Sequence, residues 1–228
     1  MSDEVRPPLL QPSALNAHPT HVAAVLLAAG RSRRMGAFKP LLPFGERTVA
    51  QACVEHLLAG GVSEIVVVAG HRAAELRAAL AQMPVSFALN EMAESEMGVS
   101  IARGVERVSE QASAVLVALV DQPAVAPETV REILDARLRT LARLIIPVWE
   151  GRGGHPVLVD LAFRAELLAL DAARGLRALF DARRSEVLRL PVSSPFVARD
   201  MDTWDDYRAL HREVFGTLPE VERPENAI

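Results

Sequence analysis

At 228 residues, half of them hydrophobic and with a formal net charge of −4, the chain fits one domain of moderate size and lacks the basic excess of a general nucleic-acid binder. Its one cysteine, Cys53, excludes an intrachain disulfide and a cysteine-cluster metal site, and reads as a small core residue on a helix. No apolar run approaches the ~20 residues of a membrane helix, and the acidic, proline-containing start is not a secretory signal, so the expected location is the cytoplasm.

Residues 1–20 read as a mobile tail. "HVAAVLLAA" then reads as a buried strand, followed by a loop rich in glycine and arginine and an amphipathic helix from Thr48 to Ala59. A second strand, "SEIVVVAG", precedes a helix starting near Ala73, and a third, "VSFALN", precedes the helix "GVSIARGVERV". The fourth, "SAVLVALVDQP", ends in polar residues. It leads into "PETVREILDARLRT", where Pro127 stands in the first helical turn and its missing N–H costs nothing. "RLIIPVWE" is a fifth strand. Continuous Val/Leu/Ala runs alternating with helices indicate a doubly wound α/β fold, a mostly parallel sheet with helices on both faces. After Gly151 the pattern is less regular: "HPVLVD", two short helices around Phe163–Ala169 and Gly175–Arg183, a strand "EVLRLP", then "VARDMD" and a last helix. The reading is a single domain over 21–216, with 217–228 as a C-terminal tail.

In such sheets ligands sit beyond the carboxyl ends of the strands, which selects the loops after Ala29, Gly70, Asn90 and Val120. The first loop, "GRSRRMGAFK", fits neither the dinucleotide fingerprint G-x-G-x-x-G nor the P-loop G-x-x-x-x-G-K-[ST]. It is still shaped for a polyphosphate. Small residues Ala28, Ala29 and Gly30 let backbone N–H groups approach closely, and Arg34 and Lys39 add positive charge. Among 25 basic residues Lys39 is the single lysine, a compact charge on a flexible stem where an arginine would present a planar fork. Asp121, at the end of a buried strand, suits one ligand position of Mg²⁺, or caps the following turn or helix. His71 and His155 read as site residues or as structural turn histidines. His18, His21, His56 and His211 lack metal-site spacing, and Trp149 reads as core or pocket wall.

The stretch "LLAAGRSRRMGAFKPLLPFG" resembles the signature L-A-A-G-x-S-x-R-M-G-x-x-K-x-L-L-P of nucleotidyltransferases related to molybdenum cofactor cytidylyltransferase, the MobA-like group. Further matches follow in order from about Val22 to Leu210: "AGGVSEIVVVAGH", "SEMGVSIARGV", Asp121-Gln122-Pro123, Gly154-His155-Pro156-Val157 and "DMDTWDDY". The resemblance implies a Rossmann-like nucleotidyltransferase fold. It also implies transfer of a nucleoside monophosphate from a triphosphate to a phosphorylated acceptor, with release of pyrophosphate. Carried over by position, Ala28, Ala29, Gly30 and Ser32 would hold the triphosphate and ribose, and Gly70, His71, Asn90, Gly98 and Ser100 the base. Arg34 and Lys39 would stabilise the charge that develops, Asp121 and Asp202 would hold Mg²⁺ with Asp200 as the alternative, and His155 would meet the acceptor. Asp202 also reads as a cap of the last helix. Three positions depart from the family pattern: Glu96 for glycine, Val99 for serine, and Trp204 for a proline, the last expected to matter only for how the final helix begins. "LAAG" with "LLPFG" is closer to the cytidylyl than to the guanylyl branch, which implies CTP as donor and a molybdopterin-type cofactor as acceptor. The alternatives are a guanylyl or a sugar- or polyol-phosphate transferase. From a different class, the chain could be a non-catalytic carrier that delivers the cofactor to a partner molybdoenzyme.

Overall fold

The computed structural model describes residues 21–92 and 97–223. The tail expected at 1–20, position 96 and residues 224–228 therefore lie outside the described residues. Strand β1 (Val22–Ala28) leads through two short 3-10 turns, Arg33–Met35 and Lys39–Leu41, into a hairpin of β2 (Pro43–Phe44) and β3 (Arg47–Thr48). Helix α1 (Val49–Ala59) begins at Thr48, whose side chain accepts the Gln51 N–H while the Gln51 side chain accepts the Thr48 N–H. This reciprocal capping satisfies two donors that the first turn would otherwise leave bare. Next come β4 (Glu64–Ala69), α2 (Ala73–Ala79), β5 (Ser86–Leu89), α3 (Met97–Arg107), β6 (Ala114–Leu119) and α4 (Pro127–Thr140). The last third contains β7 (Leu144–Trp149), β8 (Arg152–Gly153), β9 (Val157–Asp160), α5 (Arg164–Leu168), α6 (Leu176–Ala182), β10 (Val187–Pro191) and α7 (Trp204–Phe215).

The main sheet has the order β10-β7-β9-β6-β1-β4-β5, with β8 paired to β7. β6, β1, β4 and β5 are mutually parallel, as are β7 and β10. The expected doubly wound, mostly parallel sheet is present. Two strands depart from it: β9 runs antiparallel between β6 and β7, and the short β8 pairs antiparallel with β7. The turn at Glu150–Gly151, with φ of 47° and 80°, reverses the chain after β7 and sends "VLVD" back along it. Strand direction leaves no mark on a buried apolar run, so the sequence pattern could not show this.

Alternate residues of β1 serve opposite layers. Ala24 and Leu26 pack with Ile65, Val67, Leu116 and the α1 side, whereas Ala23 and Val25 pack with Val66, Val68, Val115 and α3. With both faces covered, the strands need no polar alternation. α3 lies very close to the sheet at Gly104, where a Cβ would stand 2.3 Å from Val25 Cγ1 and 2.9 Å from Val68 Cγ2. Cys53 is buried as expected, and burial pushes its thiol pKa up.

α7 closes the molecule over the β2–β3 hairpin. Its Trp204 is 1% exposed and meets Tyr207 edge-on, with ring centroids 5.2 Å apart. The Tyr207 hydroxyl donates to the Pro43 carbonyl at 2.7 Å, and desolvation raises its pKa to about 12. His211 donates through Nδ1 to the Thr217 carbonyl at 2.7 Å and packs against Phe44 and Phe215. Trp204 thus does more than shape the start of its helix. It is a central core side chain packed on Tyr207, and Tyr207 in turn bonds to Pro43 in the segment that follows Lys39.

Candidate active site

The loop after β1 is shaped by Ser32, a non-glycine residue in the left-handed region with φ 51°. Its carbonyl accepts the Met35 N–H at 3.0 Å, and its hydroxyl accepts the Lys39 N–H at 3.2 Å. Short polar side chains tolerate this conformation because they bond locally to the backbone. Met35, fully buried, anchors the turn from below. The loop therefore runs out from the sheet edge at Gly30 and returns to it at Lys39.

Lys39 returns inside the protein, at 7% exposure. Its Nζ lies 2.7 Å from Asp202 Oδ1 and 3.6 Å from Asp121 Oδ2, and the Arg34 guanidinium donates to Asp202 Oδ2 at 2.8 Å. The Met201 N–H donates to the Asp121 carbonyl at 2.9 Å, which ties the two aspartate-bearing segments together. Neither aspartate is a helix cap. α4 follows Ala126 with Pro127 in its first turn and no side-chain cap, and α7 is capped by Thr203 with Asp206. The helix-capping alternatives for Asp121 and Asp202 fall away.

The two carboxylates titrate in opposite directions. Burial raises the pKa of Asp121, the nearby Lys39 ammonium opposing this and the Asp200 and Asp202 charges adding to it. The hydrogen bond from Lys39 holds Asp202 below the ordinary carboxylate value. Asp121 Oδ1 is buried and has no hydrogen-bond partner among the described residues. A buried, unpaired carboxylate oxygen is costly unless something else satisfies it, and a hard divalent cation is such a partner. Among the described residues no group of three or more His, Cys, Asp or Glu side chains forms a metal cage. An aspartate pair nevertheless suits a cation that takes most of its oxygens from phosphate and water.

These side chains line a cavity of about 550 Å³ at the carboxyl edge of β1, β4, β5 and β6. Ala29, Gly30 and Ser32 form its wall on the β1 side, and a Cβ on Gly30 would meet nothing within 4 Å. His71, Asn90 and Ser100 line it further along, the Asn90 amide donating to Ser100 Oγ at 2.8 Å. Four predicted residues lie elsewhere. Ala28 is in the core at 1% exposure. A Cβ on Gly70 would stand 2.6 Å from the Ala29 carbonyl oxygen, and one on Gly98 would stand 2.8 Å from that of Asp171, so both glycines serve chain packing. His155 is partly buried, donates its backbone N–H to Val197 at 2.8 Å and borders no part of this cavity. Burial holds its pKa low, with Asp200 opposing.

Gln122 belongs to the Asp121-Gln122-Pro123 match, and its residue type alone assigns it no task. It is buried, and its amide donates to Asp200 Oδ1 at 2.8 Å. Asp200 is thereby turned to Gln122, and Asp202 is the one that meets Lys39. Met92 and Met97, which also line the cavity, carried no signal that would separate them from ordinary apolar residues.

Similarity to known proteins agrees with this geometry. Residues 24–187 match the MobA-like NTP transferase domain. A nicotine blue oxidoreductase from Paenarthrobacter nicotinovorans is 31% identical over 197 residues, covering 83% of this chain and 96% of its own. A probable molybdenum cofactor guanylyltransferase from Mycobacterium avium is 32% identical, covering 83% and 94%. Crystal structures of Rv0371c from Mycobacterium tuberculosis, one of them a complex with manganese, superpose with TM-scores of 0.76 and 0.72 at 32% and 30% identity. Each covers 84% of this chain, and 97% and 98% of the respective structure is matched. On the family match and these relatives, the chain belongs to the MobA-like NTP transferase domain family.

Proposed function

We propose that the protein transfers CMP from CTP to the terminal phosphate of a molybdopterin-type cofactor and releases pyrophosphate. The observation that carries this reading is the cluster of Lys39, Arg34, Asp121 and Asp202 on the wall of one cavity at the carboxyl edge of the sheet.

The acceptor phosphate monoester has a second pKa of about 6 and is mostly a dianion at neutral pH, so no general base is required. One of its oxygens forms a bond to the α-phosphorus while the bond from that phosphorus to the bridging oxygen breaks, and the electron pair leaves with pyrophosphate. The protein's part is alignment of two anions and compensation of charge on the departing one. Ala29 and Gly30 offer open backbone to the phosphates. Lys39 follows the leaving oxygens on its four-carbon stem, and Arg34 adds a fork at the rim. Asp121 and Asp202 would hold Mg²⁺, which when bound neutralises phosphate charge; the manganese complex of Rv0371c is consistent with a divalent ion.

The LAAG loop favours CTP. A second reading, GMP from GTP, is favoured by the naming of the mycobacterial relatives as guanylyltransferases. The oxidoreductase relative raises a hydride-transfer reading. Against it stands the first loop, which lacks the glycine fingerprint that lets a dinucleotide pyrophosphate approach. The test is pyrophosphate release with Mg²⁺ across CTP, GTP, ATP and UTP, each against a molybdopterin-type acceptor and against sugar phosphates, with NAD(P)H consumption followed alongside. CTP with the molybdopterin-type acceptor is expected to dominate. Preference for GTP would replace the base assignment, and preference for sugar phosphates the acceptor. Consumption of NAD(P)H with no pyrophosphate would overturn transfer itself.

A further inference from the structure

A second cavity, of about 730 Å³, adjoins the first, and Arg34 and Asp202 line both. The tip of the β7–β8 hairpin, Trp149 and Arg152, also lines it, as do Arg199 and Asp200. We propose that Trp149 and Arg152 form the acceptor subsite, which takes a phosphate monoester carrying a planar heteroaromatic ring; this rests on the nucleotidyl-transfer reading.

The hairpin presents these two side chains together. Trp149 is paired with Arg152 across the strands, and directly opposed residues share one face of a ladder. Glu150 and Gly151, both at positive φ, make the tight two-residue turn between them. Arg189 braces that turn by donating to the Gly151 carbonyl at 3.1 Å. A planar ring can therefore stack on an indole whose position is fixed, with a guanidinium at its edge.

The charges of this cavity are distributed unequally. Asp202 is paired with Lys39 and Arg34, Asp200 accepts from Gln122, Asp206 caps α7, and Glu213 pairs with Arg199. Arg152 is exposed and has no side-chain hydrogen bond or ion pair among the described residues. A guanidinium in that state is suited to bidentate contact with two oxygens of a phosphate. Position agrees with chemistry. In-line attack requires the nucleophile and the leaving group on opposite sides of the phosphorus, and this cavity reaches the first one across Asp202 and Arg34. His155, the residue that family likeness implied for the acceptor, borders neither cavity.

The experiment is calorimetric titration of the full chain with hydroxymethylpterin monophosphate in the presence of Mg²⁺, and with the same pterin lacking phosphate. Wild type is expected to bind the phosphorylated probe more tightly. R152A should weaken that binding by about tenfold and remove the preference for phosphate. W149A should weaken both probes, and W149F should restore most of the affinity. CTP and GTP titrations should be unaltered in all three variants, which also shows that they are folded. No binding by wild type, or wild-type affinity in both R152A and W149A, overturns the subsite. Binding that depends on Trp149 and Arg152 in a protein that releases no pyrophosphate with any nucleotide would leave the subsite standing and sink the transfer reading. Turnover with an acceptor KM unchanged in R152A would do the reverse.

Discussion

The four parallel strands β6, β1, β4 and β5 and the later group β7 to β10 reach the same cavity edge in different ways. In the first group each strand ends at the carboxyl edge, and the loop that follows delivers its residues there directly: Gly30 after β1, His71 after β4, Asn90 after β5, Asp121 after β6. In the second group the chain reverses at Glu150–Gly151, inserts β9 antiparallel, and comes back to the first cavity through the segment before α7, which carries Asp202. That segment is placed by side contacts: His155 to Val197, Met201 to Asp121, and Trp204 in the core. The first group positions residues by topology, the second by tethers. Chemistry should therefore respond to changes in the tethers that stability barely registers, and the reverse should hold in the parallel strands.

The largest separation of the two effects is expected at Asp121, where the groups meet. D121N should lower kcat by about 10²–10³, the usual cost of losing one preorganised charge in a reacting site. Thermal stability should not fall. Burial raises the folded-state pKa of Asp121, so its ionised form opposes folding at neutral pH, and the amide removes that penalty while keeping the shape. Pyrophosphate release and a melting curve at one neutral pH decide this, and undiminished turnover would remove Asp121 from the chemistry.

Two glycines sharpen the contrast. In G104A the new Cβ would press on Val25 and Val68 in the parallel half, at 2.3 and 2.9 Å. Overpacking of this kind costs about 1–3 kcal/mol, so the melting temperature should drop while KM and kcat of the folded fraction stay the same. In G154A the Cβ would stand 1.9 Å from the Val197 carbonyl oxygen, which is backbone and cannot swing aside. The 197–202 segment must shift, carrying Asp202 away from Lys39. Here kcat should fall by about tenfold or more beyond any change in stability, since misplacement of about an ångström has that effect on an aligned reaction. Equal kinetic losses in the two variants would erase the distinction between topology and tether.

The same distinction explains what could be read from the sequence. The parallel half was legible because each buried strand is a continuous apolar run and each site residue follows its strand within a few positions. Lys39 stood out by composition alone, and Asp121 by its place at the end of "AVLVALVD". The meeting of Lys39 with Asp202, separated by 163 positions, has no local signal and came into view only through likeness to a family pattern. Family likeness points Gly70 and Gly98 toward the base, but in sequence a loop glycine looks the same whether the missing Cβ makes room for a ligand or for another part of the chain. The structure puts carbonyls of Ala29 and Asp171 there. Trp204 is a similar case: its position in a motif says nothing of the Tyr207 ring it meets in the core. What local sequence hides is in each case a contact, and for Lys39 and the two glycines a contact between distant segments.

The smallest expected effect concerns His155, a tether residue without a cavity face. Burial lowers its folded-state pKa, so the neutral ring is the form the fold accepts. Between the unfolded value of about 6.5 and the lower folded value, the unfolded chain binds a proton that the folded chain does not. The stability contributed by neutral His155 is therefore complete above that unfolded value and declines as pH falls through the window. H155Q cannot take up a proton, so its stability should lack this decline. Urea unfolding at pH 7.5 and 5.5 should show wild type ahead of H155Q at the higher pH, with the gap narrowing at the lower. Because the His155 N–H to Val197 bond is made by the backbone, kcat should change less than in G154A. A gap that widens on acidification would mean that His155 is held protonated, with Asp200 outweighing the burial that encloses the ring.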